Sequence, residues 1–137
     1  MKFVCDAPGG KSWFRLETEA EAEAESALMR HAVEKYFQRA LAEARESYTP
    51  GLGIERDIGL KTHIAKKMPR FLTLRADDGT GLATAMLPPE IGGGPHFRVI
   101  VVGAANSDPY PEHGDAIRAL ATHLGMRLPR SECFPYA

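Results

Sequence analysis

Cysteine, net charge and long apolar runs are all scarce in this chain. Only two cysteines occur, Cys5 and Cys133, near opposite ends of 137 residues. Neither sits in a CxxC or zinc-type spacing, which excludes a metal-stapled or disulfide-framed scaffold. Chain termini often lie close together, so a single Cys5–Cys133 bridge stays open on sequence grounds. No apolar run approaches the roughly 20 residues that span a bilayer. The segment from Met1 to Asp6 turns polar too early for a secretory leader. The expectation is a cytoplasmic protein with reduced thiols and no membrane partner. Seventeen Lys+Arg against eighteen Asp+Glu leave a formal charge of −1. The field of the whole chain therefore does not favour nucleic acid.

What is present is ordinary in amount, 44% hydrophobic and 26% charged, and informative in pattern. The length predicts one domain with a core of its own. Two short strands, 2–7 and 13–17, flank a Pro8-Gly9-Gly10-Lys11 turn. Thr18 with Glu21 three residues on is a capping-box pattern that opens a helix over 18–48. Met29, Val33, Phe37, Leu41 and Ala44 recur along it at helical spacing. Such a helix spans about 45 Å, whereas a domain of this size is about 35–40 Å across. Its acidic first turns, with Glu19, Glu21, Glu23 and Glu25, are expected to overhang. A short helix over 54–68 and a hairpin over 70–87 around Asp77-Asp78-Gly79-Thr80 come next. The loop with Gly92, Gly93 and Gly94 leads to a β-branched run over 97–103. That run reads as a central strand buried on both faces. A helix over 115–124 follows, and Phe134 and Tyr136 offer anchors in the tail. The fold class is α+β. A mostly antiparallel sheet, made of two hairpins and one buried strand, is packed by a long N-terminal helix and a C-terminal helix.

Chemistry-bearing residues gather after the 97–103 strand. Loops at strand ends commonly carry ligand sites. Here Asn106, Asp108, Tyr110, Glu112 and His113 are the ligand-binding candidates. His113 has the chemistry of a general base, with Glu112 or Asp108 to orient it. Gly9-Gly10-Lys11-Ser12 looks like the end of a phosphate loop, but Cys5 stands where that motif needs glycine and a strand follows where it needs a helix. Metal binding would have to assemble from Cys5, Cys133, His113 and His123, which share no ligand spacing. No metal or cofactor is expected. His31, His96 and His123 read as surface or locally satisfied residues.

Helices, then the hairpin with Ala76-Asp77-Asp78-Gly79-Thr80-Gly81-Leu82-Ala83, then a strand leading into a helix, resemble the middle of a GNAT-type acetyltransferase. The resemblance implies acyl-CoA, with the 108–120 segment at its pyrophosphate. The family's glycine-rich signature is replaced here by Glu112-His113-Gly114-Asp115, an acidic pair that repels phosphate. The likeness is one of architecture.

Charge is segregated along the chain. The acidic turns Glu19, Glu21, Glu23 and Glu25 contrast with the basic group Lys61, His63, Lys66, Lys67 and Arg70. A second copy could bring one to the other. The reading that follows is a non-catalytic binding or protein-interaction module acting as a homodimer, with a protein or small molecule as its other partner. A small-ligand enzyme of acyltransferase-like architecture using the Asp108 to His113 loop is the alternative. Nucleic-acid binding through the Lys61 to Arg70 cluster is weaker still, since exposed rings are lacking beside it.

Overall fold

The computed structural model describes residues 1–48, 56–90 and 97–137. The joint at Gly51, Leu52 and Gly53, the loop at Gly92, Gly93 and Gly94, and His96 lie outside the described residues. Five strands form one antiparallel sheet in the order β1-β2-β3-β4-β5. They are β1 (Lys2–Ala7), β2 (Lys11–Arg15), β3 (Arg70–Arg75), β4 (Gly81–Leu87) and β5 (Ile100–Val102). Helices α1 (Glu19–Met29), α2 (Val33–Glu46) and α3 (Arg56–Lys67) connect β2 to β3, and α4 (Tyr110–Leu124) follows β5. The α+β class with an antiparallel sheet is as expected. Among the described residues no helix is long and apolar enough to cross a membrane.

Alternation along the strands divides the core in two. Trp13, Leu72, Leu74, Ala83, Ala85 and Val101 face α4, where Ala116, Ile117 and Leu120 meet them. Leu16 and Phe71 face the opposite way, onto Ala22, Val33, Phe37 and Leu41 of α1 and α2. The Trp13 indole N–H donates to the Ala116 carbonyl at 2.9 Å and ties β2 to α4. Cys5 and Cys133 are free and buried. They belong to strand β1 and to the tail beside β5, at opposite edges of the sheet, so no bridge joins them.

Three expectations need correction. The helix over 18–48 is two helices, broken at Arg30, His31 and Ala32. Thr18 and Glu21 do form the capping box. Arg30, however, adopts the left-handed conformation (φ 53°) and sends its N–H to the Ser26 carbonyl. The Ser26 hydroxyl then accepts from the Glu34 N–H at 2.9 Å and caps the new helix. The break lets both halves lie on the sheet, so the expected overhang does not exist. The second correction concerns the 97–103 run, which supplies an edge strand and not a central one. Val101 packs toward α4, and the tail covers the edge: Val101 N–H donates to Phe134 O at 3.2 Å and Phe134 N–H to Val99 O at 2.8 Å. Third, the C-terminal helix begins at Tyr110, five residues before the expected start. Proline is tolerated in a first helical turn, where its missing N–H has no intrahelical partner in any case. Asp108 Oδ1 accepts the Tyr110 N–H at 3.0 Å, as a capping side chain does.

Candidate functional site

The predicted loop residues do not converge. They leave β5 in three directions. Asn106 is exposed on a 3₁₀ turn (Ala104–Asn106) and, like Ala105, has positive φ. It faces the α1–α2 corner. Asp108 turns toward the tail, where its Oδ2 accepts from Arg130 Nε at 2.8 Å. Partial desolvation pushes the Asp108 pKa up, yet the Tyr110 N–H and the Arg130 guanidinium outweigh it and hold the carboxyl below its ordinary value. Tyr110 donates its hydroxyl to Leu128 O at 3.0 Å, and burial, chiefly, raises its pKa. Glu112 is exposed in the first turn of α4.

His113 meets a residue that the sequence pattern did not pair with it. Lys11 Nζ lies 3.1 Å from His113 Nδ1, delivered by the turn between β1 and β2. Lys11 opens a strand, so the Gly9-Gly10-Lys11-Ser12 segment is a hairpin turn and not a phosphate loop. The other imidazole nitrogen, Nε2, is 3.8 Å from a Glu112 carboxylate oxygen. Burial and then the Lys11 charge lower the His113 pKa, against Glu112 and Asp115. Nδ1 accepts from the ammonium, and Asp108 is engaged elsewhere. Of the two expected orienters, Glu112 approaches the ring without reaching hydrogen-bond distance and Asp108 does not approach it.

A second histidine belongs to a buried polar relay. Glu25 is completely buried under α1. Arg75 Nη2 reaches Glu25 Oε1 at 2.7 Å, and the Thr84 hydroxyl donates to Glu25 Oε2 at 2.6 Å. Thr84 has one proton and has given it to Glu25, so it accepts from His31 Nε2–H at 2.8 Å. His31 Nδ1 is left to accept the Val33 N–H at 3.4 Å. Burial lowers the His31 pKa against the pull of the Glu25 carboxylate. This relay fixes the α1–α2 corner on β4. Every member is satisfied, which is the structural role of such networks.

Two concavities accompany these groups. The first, beside His31, Tyr36, Ile100, Val102 and Asn106, holds only about 60 Å³. Both ring nitrogens of His31 are already taken there. The second lies between α4 and the segment after it and holds about 360 Å³. That falls in the roughly 300–1,000 Å³ range of small-molecule sites. Tyr110, Ile117, Ala121 and Leu128 supply its apolar surface, and Arg118, Arg127 and Arg130 its charge. Gly125, left-handed at φ 64°, ends α4 and folds the following residues back to make the opposite wall. Tyr136 stacks on the Arg130 guanidinium at 4.4 Å and meets Tyr110 edge-on, 5.7 Å between ring centroids. Of the predicted ligand residues only Tyr110 lines this groove, with Asp108 behind Arg130. The arginines were missed. Arg118 sits on the exposed side of α4, and Arg127 and Arg130 join it only through the turn at Gly125.

The interaction candidates also separate. Glu25 is a correction: it is buried and paired with Arg75, and no partner can reach it. Glu21 closes the capping box and pairs with the terminal ammonium of Met1. Glu19 and Glu23 remain exposed. Lys61, Lys66 and Lys67 are exposed on α3, while Arg70 donates from Nε to Pro88 O at 2.9 Å. Among the described residues no group of His, Cys, Asp and Glu could hold a metal ion.

No protein-family model, curated protein or solved structure matches this chain. What it can do chemically therefore rests on its own geometry.

Proposed function

We propose that this chain is a non-catalytic binding module and that it takes a small ligand in the groove between α4 and the tail. One observation carries the reading: a concavity of about 360 Å³ joins an apolar floor to three guanidinium groups. Pockets of that composition bury an apolar body and orient it with a few polar contacts. A binding role is favoured over catalysis because Asp108 is held by Arg130, His113 Nδ1 is occupied by Lys11, and the exposed Glu112 stays 3.8 Å from His113 Nε2, beyond hydrogen-bond distance. The acyltransferase-like reading is supported less, since Glu112 stands in the first turn of α4, where a pyrophosphate would need amide donors. Two buried free thiols fit a cytoplasmic setting.

The test fills the groove. Ala121→Trp places an indole in it. A thermal-shift screen of small acids, amines and neutral compounds should yield ligands for the native chain that fail on this variant. Ligands that stabilise both proteins equally would place binding elsewhere and overturn the reading.

Self-association keeps a separate support. The outer edge of β1 pairs with no described strand, and Phe3 on it is 55% exposed. Two copies of β1 paired antiparallel about Val4 set Lys2 of each opposite Asp6 of the other. An isologous contact of this kind builds a closed dimer. The bulge between Phe3 and Cys5 works against edge pairing, which puts this reading second. Light scattering should then show a dimer that Phe3→Lys abolishes. A native monomer at high micromolar concentration would end it. The basic cluster on α3 supports nucleic acid least, because Arg70 is turned inward to Pro88.

A further inference from the structure

We infer that the α4 groove recognises a single carboxylate borne on a compact apolar body, with Arg118 as its anchor. This rests on the groove being a ligand site, as proposed above. Charge on the rim points to a monoanion. Three guanidiniums line the groove and no acidic residue does. Two of the three are already neutralised from within the chain. Asp108 holds Arg130 at 2.8 Å, and Glu132 holds Arg127 at 3.2 Å. Arg118 has no ion pair among the described residues. Three positive charges against two negative ones leave one to be matched. A dianion such as a phosphate monoester would bring one charge too many, unless it displaced Asp108 or Glu132.

Space beside Arg118 supports the same assignment. Gly114 lies one turn before it in α4, with no positive φ to require glycine. Glycine within a helix costs about 1 kcal/mol relative to alanine. A Cβ at this position would lie 3.6 Å from Arg118 Nη1. At that distance an added Cβ makes only ordinary contact, so the guanidinium lies beside Gly114, where its planar fork can match a carboxylate with two parallel N–H···O bonds. Tyr110 and Ala121 offer surface for the apolar body, above the almost fully buried Ile117 and Leu128. The two carboxylates already seated on Arg127 and Arg130 show the pairing that this rim accepts.

The experiment titrates the full chain with sodium octanoate, 1-octanol and octyl phosphate by calorimetry, each below its micellar concentration. Octanoate should bind, and 1-octanol should bind about tenfold or more weaker, the loss expected for a charge-assisted hydrogen bond. Arg118→Gln should weaken octanoate by a similar factor and leave 1-octanol unchanged, and Arg118→Lys should restore part of the difference. Equal binding of octanoate and 1-octanol, both lost in Ala121→Trp, would overturn the carboxylate inference while keeping the groove as a site. Tighter binding of octyl phosphate than of octanoate would overturn the choice of a monoanion. No binding of any of the three, or binding that Ala121→Trp does not affect, would overturn the inference and, in the second case, the groove itself. Circular dichroism of each variant separates loss of binding from loss of fold.

Discussion

Replacing Glu25 by alanine should destabilise this protein more than any other single change on α1. The Glu25 side chain is completely buried, and that of Arg75 is only 16% exposed. The substitution removes two hydrogen bonds to a carboxylate, from Arg75 at 2.7 Å and Thr84 at 2.6 Å. It leaves the guanidinium without its partner in a mostly buried site. Breaking a buried pair by deleting one member costs about 3–5 kcal/mol. That is a large share of the about 5–15 kcal/mol that holds a domain folded. At about 3–5 °C per kcal/mol for a chain of this size, the midpoint should fall by about 10–20 °C. Urea denaturation followed by circular dichroism reads the free energy directly, with the slope m unchanged if only stability has moved. The combined variant Glu25→Leu, Arg75→Met, Thr84→Val should recover only part of the loss: it removes the buried ion pair but takes the acceptor from His31 Nε2 and the donor from the buried Thr73 Oγ1. A loss below about 1 kcal/mol for Glu25→Ala would refute the relay as the anchor of α1 on the sheet.

Three further outcomes follow from the same geometry. Arg30→Gly should stabilise the α1–α2 corner by up to about 1 kcal/mol, since glycine takes the left-handed conformation of φ 53° without strain; a loss in urea denaturation would contradict this. Stability should fall as pH drops below about 6.5, because burial lowers the folded-state pKa of both His31 and His113. The unfolded chain then binds protons first, and the loss continues until the pH reaches the folded values, with a slope of at most about 1.4 kcal/mol per pH unit for each histidine. A flat urea midpoint from pH 7 to pH 5 would contradict it. Trp13→Phe removes the indole donor from the Ala116 carbonyl, which keeps its intrahelical N–H. It should cost about 0.5–1.5 kcal/mol for the lost hydrogen bond, again read by urea denaturation, and a neutral result would remove this link between β2 and α4.

Side-chain pattern revealed the faces of this fold better than its breaks and edges. Met29, Val33, Phe37, Leu41 and Ala44 are all buried as their spacing predicted. Yet the helix that was to carry them is interrupted between the first two. Nothing in Arg30-His31-Ala32 announces a break, since none is glycine or proline. The break is set by the Ser26 hydroxyl capping α2 and by His31 reaching Thr84 on β4, a contact between residues far apart in sequence. The 97–103 run predicts two covered faces; Val101 and Val102 are buried, but Val99 and Ile100 are only half-buried and Arg98 is exposed. Burial of faces says nothing about which strand lies at the edge, and the tail that closes that edge does so through backbone atoms of Phe134. The candidate site was legible only in part. The polar cluster after β5 lies near the proposed groove, which Tyr110 lines. Treating Pro109 and Pro111 as loop residues hid the first turn of α4, whose backbone geometry sends Asp108 and His113 to different neighbours. The three arginines that define the groove come from α4 and from beyond Gly125, and no local spacing links them.

The groove between α4 and the tail is the ligand site proposed for this chain. Amide shifts of the isotopically labelled protein, followed while sodium octanoate is added, test it most directly. Saturable changes should centre on Gly114, Arg118, Ala121 and Leu128. Changes centred instead on His31, Tyr36 and Asn106, or no saturable change at all, would contradict this assignment.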